Sequence, residues 1–285
     1  MWITLTILSA ILVGCYDVTK KYALRRNGVM QVLFSVAVIS CIILIPFWKT
    51  APAEQIAAIF PKAIFVTLSW ITGLAGMRTL PLTTAGTIKA SRPIVVLVCS
   101  MLIFGERLNA MQWAGVGAAM AALWMLSRSS KSEGIDFRHS KGVALMCVSV
   151  LAGAASSLYD KHIIRISDPV VVLCWSNLFI TALMGIVLGI QILWKKKEGT
   201  EPADRFRWDW TLPLTAVLLV SADALYFQAV AQEGALISII VLIRRSSVVV
   251  TFLLSAIFFK ENHLKGKALA MAMMLAGIVL LVFAS

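Results

Sequence analysis

Long apolar segments divide the chain, and this feature restricts it to very few folds. A helix that crosses a bilayer needs about 20 mostly apolar residues. Ten segments meet that requirement: 2–22, 29–48, 61–80, 83–104, 111–127, 141–162, 169–194, 212–232, 235–259 and 266–284. Backbone groups in lipid must be hydrogen-bonded within the chain, and the alternating pattern of barrel strands is missing from the sequence. We therefore predict an all-α polytopic membrane protein with ten transmembrane helices, which we number as spans one to ten.

Composition excludes several other classes of protein. The chain has 60% hydrophobic and 14% charged residues, whereas soluble domains have about 25% charged residues. The net charge of +12 arises mainly from Lys and Arg in short loops, and no basic domain with interleaved aromatic residues is present. We expect a lipid bilayer as partner and no nucleic acid. The five cysteines all fall in apolar segments without a CxxC pair or a His/Cys cluster, so we predict no metal and no cofactor.

The two halves of the chain resemble each other in the same order. Shifting the first half by 155 residues pairs Phe104 with Phe259, Glu106 with Glu261, and Lys89 with Arg244. Each half also has a small-xxx-small stripe and a Tyr-Asp pair. These are Ala114, Ala118 and Ala122 with Tyr16-Asp17, and Ala268, Ala272 and Ala276 with Tyr159-Asp160.

This pattern predicts two five-helix repeats, 1–127 and 141–285, joined by a polar loop over 128–140. Because five is an odd number, the second repeat enters the membrane from the opposite side. The result is an inverted repeat, which many transporters use to alternate access to a site near the bilayer midplane.

Four of the 26 basic residues lie deep inside the predicted spans, whereas the other 22 are counted with the loops and the adjoining ends of spans. The four are Lys89 and Arg92 in span four, and Arg244 and Arg245 in span nine. Each costs at least about 2.5–3.5 kcal/mol at the bilayer centre. Such residues need partners or a wet cavity, so we predict that they bind substrate, with internal ion pairing as the alternative. Pro93 is expected to kink span four. Because Arg244 and Arg245 project in directions about 100° apart, we expect one to face the cavity and the other a neighbouring helix.

Three carboxylates are candidates for neutralising these cations. Asp223 lies near the middle of span eight and is interpreted either as an ion-pair partner of the span-nine arginines or as a proton-coupling group. Asp17 and Asp160 lie nearer to the ends of their spans, where charged side chains reach the interface easily. We expect these two to be helix-end anchors, with coupling or gating as the alternative.

Other residues complete the candidate site. Tyr226 lies three residues after Asp223, and Trp70 lies in span three. Both are candidate pocket residues, with helix packing or the interfacial aromatic belt as the alternative. Glu106 is expected to tie its loop to Arg107. Cations in the core outnumber carboxylates, so the cavity should attract an anion, and Arg and Lys suit carboxylate and phosphate groups.

Two stretches carry a resemblance to a known family. They are RPIVVLVCSMLIFGERLNAMQWAGVGAAMAALWML (92–126) and VVVTFLLSAIFFKENHLKGKALAMAMMLAGIVLLVF (248–283). The first has a Pro in helix four, a Gly-Glu after that helix, and then a Gln and a Gly that open helix five; the second has Lys260 where Gly105 stands. This pattern resembles the closing half of an EamA domain. The resemblance covers nearly the whole chain in two copies and identifies it as a member of the drug/metabolite transporter superfamily.

The resemblance implies a ten-helix secondary transporter. Substrates in the superfamily include amino acids, nucleotide sugars and triose phosphates. Lys89, Arg244 and Arg245 are similar in position to phosphate-binding residues of plastid triose-phosphate translocators, but the sugar-contacting residues of that family have no match here. The implied partner is a small organic anion or an amino-acid-like molecule, carried by a monomer or a homodimer.

Loop charges and the resemblance give opposite orientations. Loops after odd-numbered spans carry 17 Lys and Arg residues, and loops after even-numbered spans carry 5. The positive-inside rule then places both termini outside the cytoplasm, whereas bacterial relatives are expected to have cytoplasmic termini. We follow the loop charges and expect the inner membrane of a bacterium.

The leading hypothesis is a carrier that moves a small anionic or zwitterionic metabolite by alternating access. Alternatives are a flippase for a lipid-linked phosphate and a membrane-embedded sensor or assembly subunit. The sequence has no HExxH motif, no G-x-S-x-G motif and no cluster of histidines, so we expect no enzyme activity and no catalytic residue.

Overall fold

The structure is a computed structural model. It describes residues 1–23, 27–79, 88–89, 91–128, 140–197, 206–247, 249–251 and 253–254, and, in span ten, 272–273, 275–277, 279–280 and 283. The α-helices of the described part are α1 (Trp2–Ala23), α2 (Val29–Leu44), α3 (Ala53–Thr79), α4 (Arg92–Phe104), α5 (Ala110–Arg128), α6 (Lys141–Ile163), α7 (Pro169–Lys197), α8 (Thr211–Val230) and α9 (Ile237–Arg245). A short 3-10 helix, Ile45–Phe47, follows α2.

The described part is all helical, as predicted, and six of its helices are long and apolar enough to cross a membrane. These six are α1, α2, α3, α6, α7 and α8. The longest, α7, has 29 residues and is therefore about 43 Å long. Trp194 at its end is 71% exposed and Trp210 before α8 is 80% exposed, as expected for side chains in a membrane interface. The chain is therefore a multi-pass membrane protein.

Helix α3 begins eight residues earlier than predicted, at Ala53. The backbone N–H groups of Gln55 and Ile56 donate to the Pro52 carbonyl, at 3.0 and 3.1 Å, and start the helix. Pro61, the predicted start of span three, lies inside it. The polar residues of the first turns hide this extension from a hydropathy reading. Lys62, at the predicted edge of span three and counted with the loop charges, therefore lies well inside a helix, and its assignment to the loop was wrong.

Two groups of three helices pack closely. The first bundle consists of α3, α4 and α6, and the second bundle consists of α1, α8 and α9; the two bundles pack against each other through α4 and α9. In the first, Ser69 donates its hydroxyl to the Ser149 carbonyl at 2.7 Å, and Ser149 returns a 2.6 Å bond to the Ser69 carbonyl. In the second, the Ser9 hydroxyl donates to the Ala222 carbonyl at 2.7 Å. Helices α2 and α7 pack against each other and against α3 and α8.

Span four is interrupted, as the prediction of a kink at Pro93 anticipated. Residues 88 and 89 are helical, Ser91 lies in a turn, and α4 starts at Arg92. The Ser91 hydroxyl donates to the Ile88 carbonyl at 2.6 Å, which satisfies one acceptor beside the break. Lys89 and Arg92 therefore lie on either side of this turn and not on one continuous helix face.

Span nine is interrupted at the corresponding position. Helix α9 ends at Arg245, Ser246 lies in a turn, and residue 247 is helical again. The Ser246 hydroxyl donates to the Ile243 carbonyl at 2.5 Å. The shift of 155 residues places Ser91 on Ser246 and Ile88 on Ile243. This serine match is a sequence signal for the two breaks that the repeat analysis overlooked.

Packing of span ten against α5 uses Gly115 and Ala119, which were not predicted, although Ala122 of the predicted stripe is also buried. A Cβ added to Gly277 would lie 2.9 Å from both the Gly115 carbonyl oxygen and the Ala119 nitrogen. Ala119 is fully buried, whereas Ala114 is exposed. Because α5 has small residues on several faces, periodicity does not select the face that packs. Most of span ten lies outside the described residues, as do Phe259, Lys260 and Glu261.

Candidate functional site

A cavity of about 370 Å³ lies between the two bundles. Its volume falls within the range of about 300–1,000 Å³ that is usual for small-molecule sites. Every residue predicted for the site lines it: Asp17, Trp70, Lys89, Arg92, Asp160, Asp223, Tyr226, Arg244 and Arg245. The structure thus brings these side chains together, and their proposed roles in binding or coupling remain predictions.

Arg244 and Arg245 both line the cavity. Of the two, Arg244 also contacts the neighbouring helix α8, through Asp223 and Tyr226. Arg244 forms an ion pair with Asp223, as the ion-pair alternative for that carboxylate predicted. Its guanidinium carbon also lies 4.3 Å from the centroid of the Tyr226 ring, within the range of a cation–π interaction.

Arg92 is held by neutral acceptors. Its guanidinium donates to the Gly153 carbonyl and, at 2.8 Å, to the Ser157 hydroxyl, both on α6. Among the described residues, no carboxylate forms an ion pair with Arg92. A Cβ at position 153 would lie 2.8 Å from the Arg92 guanidinium carbon and 3.0 Å from the Ser69 hydroxyl oxygen, so glycine is required for this approach.

Gly153→Ala is therefore expected to displace Arg92 and to destabilise the protein by about 1–3 kcal/mol, the usual cost of overpacking. The melting temperature in detergent measures the effect. Gly117→Ala in α5 is the control, because a Cβ there would meet no atom within 4 Å and alanine favours a helix by up to about 1 kcal/mol. Equal melting temperatures for the two variants would contradict the tight packing at Gly153.

Asp160 is buried and paired, so its interpretation as a helix-end anchor was wrong. It is 4% exposed and forms an ion pair with Lys62 of α3. Its second oxygen accepts a 3.0 Å hydrogen bond from the Tyr226 hydroxyl. The Lys62 ammonium also lies 4.6 Å from the centroid of the Phe227 ring. An anchor would face the membrane surface, whereas this carboxylate is enclosed by α3 and α8.

Lys89 and Arg245 differ from the other cavity cations, because they have no ion-pair or hydrogen-bond partner among the described residues. Within the described part of the chain, neither side chain forms a hydrogen bond or an ion pair within 4.0 Å, and the Nε atom of Arg245 is buried and unbonded. Asp17 interacts electrostatically with both, and the Thr251 hydroxyl donates a long, 3.4 Å hydrogen bond to it. The two cations are therefore the groups best able to bind an incoming anion.

Charges and hydroxyls dominate the cavity wall. Six cationic side chains and three carboxylates line it, which is a formal excess of three positive charges. Sequence analysis missed Lys20 and Lys62 because both were assigned to loops. The polar uncharged residues of the lining are Ser69, Ser149, Ser156, Ser157, Ser176, Asn177 and Ser247, and these supply hydrogen-bonding groups around the cations.

Glu106 lies outside the cavity, in the loop between α4 and α5, and is 5% exposed. It bonds with Lys161 at 2.6 Å, and not with Arg107 as predicted. It also accepts from the Ile237 N–H at 2.8 Å and from the Ser238 hydroxyl at 2.5 Å. These donors belong to the first turn of α9, where free N–H groups favour a carboxylate.

The charge of Glu106 should make stability depend on pH. Burial opposes its ionisation, but bonds from Lys161, Ser238 and Ile237 lower its pKa below the ordinary value of 4.5. Stability from such a group is complete above the ordinary pKa and is lost as pH falls through the lower folded pKa. We expect the melting temperatures of wild type and Glu106→Gln to differ most near neutral pH and to converge from about pH 5 towards pH 3. A difference that does not vary with pH would show that the charge contributes nothing.

Comparison with known proteins gives a family and a fold. The model of the EamA-like transporter family matches residues 1–128 and 140–283. One solved protein structure superposes with a TM-score of 0.73 at 15% sequence identity, covering 99% of this chain and 96% of that chain. At this identity the likeness shows a shared fold. No curated protein matches the sequence as a relative.

Proposed function

Since the chain belongs to the EamA-like transporter family, we propose that it carries a small metabolite bearing a carboxylate or phosphate group through the cavity between the two bundles. EamA proteins are membrane transporters of the drug/metabolite transporter superfamily, and the resemblance inferred from the sequence is confirmed. The observation that carries the substrate class is the placement of Lys89 and Arg245 on the cavity wall without a hydrogen bond or ion pair to another described residue.

The different partners of the cavity cations support this proposal. Arg244 is bound by Asp223 and Tyr226, and Arg92 by two neutral acceptors. Leaving a desolvated ammonium or guanidinium without a partner is costly. An anionic guest offsets that cost at Lys89 and Arg245, whereas a cation would add to it. The guanidinium of Arg245 is a planar group with several N–H donors, and the ammonium of Lys89 is a compact charge. Together they suit a carboxylate or phosphate group.

The packing of helices from one half of the chain against helices from the other half supports an alternating-access mechanism. Helix α3 of the first half packs along α6 of the second, and α8 of the second packs along α1 of the first. Equivalent pairs of this kind are what an inverted repeat generates. The matched breaks at Ser91 and Ser246 lie next to the cavity cations in each bundle, where discontinuous helices of transporters commonly place their sites.

We further propose the inner membrane of a bacterium, with both termini outside the cytoplasm. Loops after odd-numbered spans carry 17 Lys and Arg residues, against 5 after even-numbered spans. The positive-inside rule supports this orientation. A C-terminal reporter active only in the cytoplasm should stay silent, and an active reporter would reverse the assignment.

Ligand-dependent thermal stabilisation tests the substrate class. The purified protein is melted in detergent with matched sets of compounds: a carboxylate or phosphate ester, its neutral amide or alcohol, and a cationic amine of similar size. A ligand that binds only the folded state raises the melting temperature. We expect stabilisation by at least one anion and none by its neutral or cationic counterpart. Stabilisation by cations alone would contradict the proposal.

A further inference from the structure

The two bundles are joined by polar contacts at one face of the membrane domain. We call it the N-terminal face, because it bears the start of α1 together with the loops 45–52, 105–109, 164–168 and 231–236. The N–H of Ile237 and the hydroxyl of Ser238, both on α9 of the second bundle, donate to Glu106, which follows α4 of the first. Lys161 of α6 donates to the Ala235 carbonyl at 3.2 Å.

A further contact crosses between the bundles on the cavity side of this face. The Tyr226 hydroxyl of α8 donates to Asp160 of α6 at 3.0 Å. Asp160 and Lys161 are neighbours in the chain. One short stretch of α6 therefore supplies both the contact to Tyr226 and the contact to Ala235. These hydrogen bonds join the two bundles at the N-terminal face.

An apolar cluster closes the same end of the cavity. Leu158, Ile163, Phe227, Ala235 and Ile237 belong to one buried group drawn from both bundles and the loop between α8 and α9. Ile163 and Ile237 are fully buried. The polar contacts therefore lie beside a packed apolar cluster at this end of the cavity.

We propose that Glu106 is the latch of a gate at the N-terminal face. Its carboxylate accepts from the N–H of Ile237 and from the N–H and the hydroxyl of Ser238 across the junction, and these bonds have to break before the bundles can separate there. This proposal rests on the proposed transport function, because only a carrier requires that end to open. Hydrogen bonds to a charged group are the stronger class, so Glu106 contributes a large part of what keeps the gate shut.

Tyr226 connects this gate to the binding site. Its hydroxyl bonds to Asp160 at the gate, and its ring packs against the Arg244 guanidinium, which in turn is paired with Asp223. A guest that draws Arg244 towards itself changes the position of the ring and hence the bond to Asp160. Tyr226 is thus a positioning residue, through which ligand binding in the cavity changes the contacts at the gate.

Pulsed electron paramagnetic resonance on the full chain tests the latch without any substrate. The five native cysteines are replaced by serine, and spin labels are attached through Arg107→Cys and Glu233→Cys. Both positions are exposed, one after α4 and the other after α8. Wild type should show mainly the short distance of the closed gate. Glu106→Gln should raise the ratio of separated to closed populations about tenfold or more.

Asp168→Asn is the matched control. It neutralises a carboxylate at the same face, in an exposed pair with Lys49 at 3.1 Å that does not join the two bundles. Unchanged distances in Asp168→Asn alongside a shift in Glu106→Gln support the latch. Equal distributions in both variants overturn it.

Tyr226→Phe provides a second route should Glu106→Gln fail to fold. This variant keeps the ring under Arg244 and loses the hydroxyl bond to Asp160, so it should also favour the separated population. No shift in Tyr226→Phe overturns the link between cavity and gate. Because the measurement uses no ligand, its outcome does not depend on whether the cavity binds anions. The gate and the substrate class are therefore tested separately.

Discussion

Replacing Lys62 with methionine is expected to lower the free energy of unfolding by about 3–5 kcal/mol, the usual cost of removing one partner of a buried ion pair. The side chains of Lys62 and Asp160 are only 6% and 5% exposed. Methionine keeps the length of the lysine stem but leaves the Asp160 carboxylate with the Tyr226 hydroxyl alone. Unfolding in detergent, followed by the loss of helical circular dichroism, measures the change.

Lys49→Met is the control for that prediction. Its pair with Asp168 is exposed, with side-chain exposures of 55% and 45%, so its loss should cost about 0–1 kcal/mol. The double variant Lys62→Met/Asp160→Leu should recover most of the lost stability, because replacing both members of a buried pair with apolar residues is often nearly neutral. A Lys62→Met variant as stable as Lys49→Met would show that the pair is not buried in the native protein.

Replacing Arg245 with glutamine is expected to weaken binding of the best anion by about 10- to 100-fold. Hydrogen bonds to charged groups contribute about 1.5–3 kcal/mol each, and 1.4 kcal/mol is tenfold in affinity. Lys89→Gln should weaken binding by a similar factor, because both cations lack a hydrogen bond or ion pair to another described residue. Isothermal titration calorimetry with the anion that gave the largest thermal stabilisation measures both effects.

Arg107→Gln is the matched control for the binding prediction. It makes the same chemical change at an exposed loop position outside the cavity, so affinity should be unchanged. Arg244→Gln is a poorer test, because it leaves Asp223 without its ion-pair partner and confounds binding with stability. Equal affinities in wild type, Arg245→Gln and Lys89→Gln would remove the basis for the proposed substrate class.

Much of the helical architecture follows from the sequence, because an apolar stretch in lipid has few alternatives to a helix. The errors occurred where polar residues extend a helix beyond its apolar stretch. At the start of α3, Glu54 and Gln55 lowered the hydropathy and Pro61 suggested a beginning, although a proline inside a helix is tolerated in membrane proteins. That single boundary concealed Lys62, and with it the partner of Asp160.

The composition of the candidate site was predictable, but its pairing was not. Charges inside spans are costly, so Lys89, Arg244 and Asp223 stood out from their surroundings. Which cation meets which carboxylate depends on the packing of α3 against α6 and of α8 against α9, and no pattern within one helix encodes it. Both arginines line the cavity, and among the described residues Arg244 is the one that pairs with a carboxylate; the helical period alone does not select it.

A crystal structure with a bromine-bearing form of the best carboxylate or phosphate ligand tests the central claim most directly. Anomalous scattering locates the bromine independently of the protein coordinates. We expect its peak inside the cavity, with the acidic group in contact with Lys89 and Arg245. A ligand bound outside the cavity, or bound within it while both cations point to lipid, would contradict the account.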